Sequence, residues 1–147
     1  MPVSVILPIM GRSSGNFFGR DSLIMSLPIM PMERAMSDDL ELEDCIDACD
    51  DCASICLESL TGHCLPAGGK HVEPRHVILM LDCVDLCRTT ADFMRRGSPN
   101  HARLCAACAD ICDACAESCA KLDDMEECVE ACRDCAESCR EMASAAA

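Results

Sequence analysis

Cys45, Cys49, Cys52 and Cys56 follow one another at intervals of four, three and four residues, and Cys128, Cys132, Cys135 and Cys139 repeat that spacing. At about 100° per residue, each set falls within about 60° of a helix circumference. Cys105, Cys108, Cys112, Cys115 and Cys119 continue the rule at three, four, three and four, within about 80°. Cys83 and Cys87 stand four apart. These are the places that leucines hold on the buried side of an amphipathic helix, so the thiols point inward. The segment Cys112-Asp-Ala-Cys115-Ala-Glu-Ser-Cys119 returns as Cys132-Arg-Asp-Cys135-Ala-Glu-Ser-Cys139, with a looser copy at Cys49-Asp-Asp-Cys52-Ala-Ser-Ile-Cys56. What repeats is a helix face, not a metal-binding loop.

Turn and cap residues divide this pattern into four helices. Ser37, followed by Asp38, Asp39 and Glu41, suits the start of the first, which is predicted to end near Leu60. A Gly/Pro-rich connection ends at Pro74, a good first-turn residue for a second helix reaching Arg96. Gly97-Ser98-Pro99 stops it and is read as the cap of a third, about Asn100 to Lys121. Asp123/Asp124 ahead of Glu126/Glu127 resembles a capping box for a fourth, ending near Met142. Short turns between long helices predict an all-α fold, an antiparallel four-helix bundle with a cysteine-lined core over residues 37–147. Residues 1–36 contain no cysteine and many Pro and Gly, and are read as a flexible N-terminal extension.

Sixteen cysteines in 147 residues, with no Trp or Tyr and three Phe, require a chemical explanation. As packing alone they would fill a core poorly, and Leu or Ile would serve better. Intrahelical neighbours lack the geometry of a relaxed disulfide, and cross-helix bridges are expected mainly on oxidation. Val3–Met10 is short, broken by Pro8 and preceded by no Lys or Arg, unlike a secretory signal. No stretch approaches the roughly 18 apolar residues of a membrane span. The cytoplasm, where thiols stay reduced, is the expected compartment.

Residues 37–147 hold 24 acids against 9 bases, a charge of −15 that the +1 of residues 1–36 brings to −14. Such a chain is a poor nucleic-acid partner. It has no nucleophilic triad, phosphate loop or Cys-Gly-Pro-Cys site, so it does not read as an enzyme. Metal binding is the remaining explanation. Zinc favours separate groups of four ligands, whereas these stripes form a continuous tube. Two consecutive x₂ gaps, as in ferredoxins, never occur. Soft thiolates suit Cu(I), each ion balanced by one thiolate. A zinc or iron–sulfur protein, or a thiol redox protein, is the alternative.

Repeated Cys-x₃-Cys on inward helix faces resembles the cysteine-rich four-helix-bundle copper storage protein family, over about Asp38–Met142. The resemblance implies several cuprous ions along the bundle axis. It implies the cysteine pairs Cys45/Cys49, Cys52/Cys56, Cys83/Cys87, Cys108/Cys112, Cys115/Cys119, Cys128/Cys132 and Cys135/Cys139, with Cys105 adding to the tube. It also implies an open end with His or Met ligands. In an up-down bundle that end gathers Cys64, Cys119, Met125, His63, and His76 with Met80, which continue the stripe of Cys83 backward. The opposite end gathers Met94, Met142 and His101, the last four residues before Cys105 and a candidate terminal ligand. His71 receives no role.

Two further expectations concern partners. Leu7-Pro8-Ile9-Met10 recurs as Leu27-Pro28-Ile29-Met30, which suits a bivalent docking peptide; by analogy with other apolar cargo peptides, the partner would be an encapsulin shell and the location its nanocompartment. Val77, Leu81 and Val84 are read as an outward apolar stripe that pairs subunits in a homo-oligomer.

Overall fold

Helix formation begins upstream of the residue whose side chain suggested a cap. The computed structural model describes residues 32–145, and in it α1 spans Met32–Ser59, so Ser37 lies inside the helix. Met32-Glu-Arg-Ala-Met36 are all strong helix formers. Such residues extend a helix at little cost, and a Ser cap contributes only about 1 kcal/mol in competition. Both Leu-Pro-Ile-Met segments, and the extension apart from Met32–Met36, lie outside the described residues.

Three further long helices follow: α2 (Pro74–Arg95), α3 (His101–Cys119) and α4 (Glu126–Ala145). Pro74 occupies the first turn of α2 behind Glu73. Gly97, at φ 62°, closes that helix. Its N–H donates to Met94 O at 2.9 Å, and Ser98 N–H donates to Phe93 O at 3.0 Å, the paired bonds of a Schellman motif. The cap of α3 is Asn100, not Ser98 with Pro99; the Ser98 carbonyl instead receives the His101 N–H at 3.1 Å. Ahead of α4, Asp124 adopts φ 57°, a left-handed conformation unsuited to an N-cap. Met125 O accepts the first helical bond, from Val129 N–H at 3.0 Å.

Helix α1 packs on α2 and α4, and α3 packs on the same two neighbours. Sulfur contacts give the directions. Cys45 meets Cys139 while Cys56 meets Cys128, so α1 and α4 run oppositely. Cys87 meets Cys108 while Cys83 meets Cys112, so α2 and α3 do too. The chain is thus an antiparallel four-helix bundle, with no strand among the described residues. Ala53, Ala91, Ala109, Ala116 and Ala136 are buried beside the stripes, and their small size lets the helices approach over a core of short thiols.

One outward assignment does not hold. Val84 is only 2 % exposed. It lies seven residues before buried Ala91, on the edge of α2 from which Arg95 pairs with Asp50 of α1, so its side chain serves the α1–α2 seam. Val77 is partly buried against the core. The exposed apolar pair on α2 is Ile78 and Leu81, 58 % and 42 % exposed.

Candidate metal centre

The link after α1 creates part of the site. The chain does not leave the helix at Thr61 but passes through a π-helical turn, Leu60–Cys64, and one α-turn, Leu65–Ala67. A π turn takes about one residue more than an α turn. Cys64, eight residues beyond Cys56, therefore returns to the stripe as a seventh residue would. It is completely buried, whereas His63, which an unbroken helix would have placed there, is partly exposed.

All sixteen cysteines are free thiols and fully buried. They form a ladder through the bundle. Cys56 Sγ lies 3.4 Å from Cys132 and 3.5 Å from Cys128, and Cys87 Sγ lies 3.5 Å from Cys112 and 3.6 Å from Cys108. Cys49 approaches Cys139 at 3.6 Å and Cys135 at 3.7 Å. Contacts along one helix are longer, as between Cys108 and Cys112 at 3.9 Å or Cys52 and Cys56 at 4.0 Å. In this structure the shortest thiol neighbours are therefore on facing helices.

Four quartets have sulfurs mutually within 4.8 Å: Cys49/Cys108/Cys135/Cys139, Cys52/Cys56/Cys83/Cys132, Cys52/Cys87/Cys112/Cys135 and Cys56/Cys115/Cys128/Cys132. Cys45, Cys105 and Cys139 form a triad by the same measure. These groups share members, so no more than two of the quartets are free of a common sulfur. The donors form a continuous lattice, which suits ions that share or exchange thiolates better than isolated tetrahedral sites.

Protons are distributed unevenly in that lattice. The Cys112 thiol donating to Cys83 holds Cys83 well below its ordinary value, while contacts with Cys108 and Cys135 push Cys112 up. Cys135 is pushed up by its contact with Cys108 yet settles at about 7, because its contacts with Cys112, Cys139 and Cys49 lower it. Some thiols are thus held low beside others that are pushed up. A bound cation displaces the remaining protons.

The end predicted to be open is assembled as a mixed soft-donor group. Cys64 Sγ lies 3.6 Å from Met125 Sδ, 4.0 Å from Met80 Sδ and 3.9 Å from His76 Nε2. Cys119 lies 3.5 Å from Cys128 just below. His76 Nδ1 is 2.9 Å from Ser118 Oγ; when Nδ1–H donates there, Nε2 presents its lone pair toward Cys64. Burial lowers the His76 pKa and keeps the ring neutral, the ligating form. Burial raises that of Cys64. Ser118 escapes a sequence reading because it acts from the facing helix.

His63 lines a neighbouring pocket with its Nε2 buried and without a protein partner. His71 stacks edge-on against it at 5.0 Å and hydrogen-bonds Asp123 O at 3.1 Å. At the opposite end Cys105 Sγ meets Met94 Sδ at 3.8 Å, and Met142 is buried. His101 is part-buried, its Nδ1–H donating to Ser98 O at 2.7 Å.

Comparison with known proteins agrees with this geometry. A family model described as copper storage protein matches residues 38–144. A crystal structure of a Nitrosospira multiformis protein is 53 % identical, covers 73 % of this chain and 98 % of its own, and superposes with a TM-score of 0.72. A Cu(I)-bound copper storage protein is 39 % identical with a TM-score of 0.65, covering 70 % of this chain and 98 % of its own. Apo copper storage protein 3 from Bacillus subtilis is 40 % identical with a TM-score of 0.61, covering 69 % and 97 %. An uncharacterised cysteine-rich protein of Bacillus subtilis is 39 % identical over 69 residues, 47 % of this chain and 63 % of that relative's length.

Proposed function

Since the chain belongs to the copper storage protein family, we propose that its thiol-lined bundle stores cuprous ions, many to a chain, and performs no catalysis. The observation that carries this is the overlap of the thiol quartets. With no more than two quartets free of a shared sulfur, four-thiolate zinc sites use only half of the sixteen thiols. At two thiolates per cuprous ion, the same thiols suffice for about eight ions. All sixteen cysteines are assigned as ligands, with His63, His76, Met80 and Met125 at one end and His101 at the other. Loading reduced, full-length protein separately with Zn(II) and Cu(I) against competing chelators tests the choice. Several-fold more Cu(I) than Zn(II) is expected; equal numbers of both contradict storage in favour of discrete zinc sites.

The wider setting follows from the same reading. The need of Cu(I)-binding thiols to stay reduced supports a cytoplasmic setting, and among the described residues no helix is long and apolar enough to cross a membrane. The exposure of Ile78 and Leu81 supports a homo-oligomer that pairs through this face. Leu81→Glu is expected to lower the mass measured in solution, and an unchanged mass excludes that face. The repeated Leu-Pro-Ile-Met is assigned to docking on an encapsulin shell. Deleting residues 1–31, which stops short of α1, is expected to abolish capture by a co-expressed shell and to leave copper capacity intact. Equal capture of the full and shortened chains eliminates docking.

A further inference from the structure

Both ends of the sulfur tube carry donors other than thiolate, and a pocket of similar make lies at each end. At the near end a pocket of about 250 Å³ is lined by His63, Met125, Glu58, Asp124 and Glu127. At the far end one of about 260 Å³ is lined by His101, Met142, Asp38, Asp39 and Leu42. Each therefore presents one imidazole, one thioether and a set of carboxylates.

Behind each pocket the donors continue into the thiol lattice. At the near end Met125 Sδ touches Cys64. At the far end Met94 Sδ touches Cys105 at 3.8 Å, and Cys105 belongs to the triad with Cys45 and Cys139. The inward stripe of α2 reads His76, Met80, Cys83, Cys87, Thr90 and Met94, and that of α4 is preceded by buried Met125 and runs through four cysteines to Met142. Both stripes thus have a thioether toward each end. An inert plug is better made from Leu, Ile or Phe, which fill space with well-defined rotamers. With Nδ1–H tied to Ser98 O, His101 keeps Nε2 as a lone-pair donor.

We infer that the far end is a second port, through which cuprous ions enter and leave in parallel with the near end. The route runs from His101 and Met142 to Met94 and then to the Cys45/Cys105/Cys139 triad. It proceeds by ligand exchange alone: a donor bond on the incoming ion is replaced by a thiolate bond, and the thiol proton passes to solvent. Asp38 and Asp39 raise the local concentration of cations at the opening. The inference rests on the storage reading.

The test uses the reduced, full-length protein and a bicinchoninate–Cu(I) complex as donor, with uptake followed by loss of the donor's colour. His63→Leu with Met125→Leu disables the near route, His101→Leu with Met142→Leu the far route, and the quadruple variant both. Two parallel routes of similar flux predict that each pair slows uptake about two-fold and that the quadruple variant slows it about ten-fold or more. Near-end substitution that slows uptake as much as the quadruple variant, with far-end substitution at the wild-type rate, overturns the second port. Circular dichroism checks each fold. Should the far-end pair misfold, His101→Gln and Met142→Ile are measured singly, with slowed uptake in either expected and wild-type rates in both contradicting the port. Wild-type protein that holds no more than two Cu(I) at equilibrium overturns storage and the port together, whereas full capacity with an inert far end overturns the port alone.

Discussion

The middle of the bundle and its ends are built from different donors on the same helices. Between its ends the tube is lined almost wholly by thiols in mutual contact at 3.4–4.0 Å. Around it stand thioethers and imidazoles: Met80, Met125 and His76 on one side, Met94, Met142 and His101 on the other. A thiolate neutralises a cuprous ion and holds it firmly, while a neutral thioether or imidazole supplies no charge and releases it more readily. The middle thus suits capacity and the ends suit exchange.

The largest expected effect breaks the middle. Cys52, Cys56, Cys132 and Cys135 between them belong to all four quartets, so replacing these four of sixteen thiols by Ala is expected to remove about a quarter of the Cu(I) capacity or more. Equilibrium titration against a chelator reads this directly. A loss of only one ion would show that the quartets are not where the metal is held. By contrast, substituting end residues is expected to change rates several-fold and capacity much less, and equal effects on both would erase the distinction between the regions.

Metal removal gives the next effect. Caps, buried alanines and the Schellman close of α2 favour helix formation before loading, so reduced apo protein is expected to keep a strongly helical circular dichroism spectrum. A coil spectrum would mean that the metal builds the tube.

Acid should weaken the apo protein at its near end. The His76 pKa is depressed by burial, so the unfolded chain takes up the proton first as pH falls. The stability associated with neutral His76 is present above the ordinary histidine value of about 6.5 and is lost as pH falls through the lower folded value. Urea midpoints of wild type and His76→Leu across that window are expected to converge or cross on acidification. Parallel curves would contradict a buried neutral ring.

The smallest effect lies in the tube wall. Thr90 is completely buried and its hydroxyl has no protein partner. Thr90→Val is expected to leave apo stability unchanged or raise it by about 1 kcal/mol. A comparable loss in chemical denaturation would show that the hydroxyl is engaged.

The stripes were legible in the sequence because helical spacing alone decides which residues share a face. Hence the bundle, the inward thiols, and the gathering of Cys64, His76, Met80 and Met125 at one end could be anticipated. The features that were missed depend on an inserted residue or on a facing helix. The π turn at Leu60–Cys64 swaps His63 for Cys64 on the stripe, and no local composition announces the extra residue. Ser118 orients His76 from across the bundle. Val84 looked outward by angle alone, but the α1–α2 seam is wider than the thiol stripe and covers it. Ser37 had the chemistry of a cap, but the helix formers upstream carried α1 to Met32.

The most direct test of the account is the number of Cu(I) ions that reduced, full-length protein withholds from a strong competing chelator. Two thiolates per ion predict about eight or more per chain from the sixteen buried thiols. Saturation at one or two ions would contradict a storage tube and leave a discrete metal site in its place.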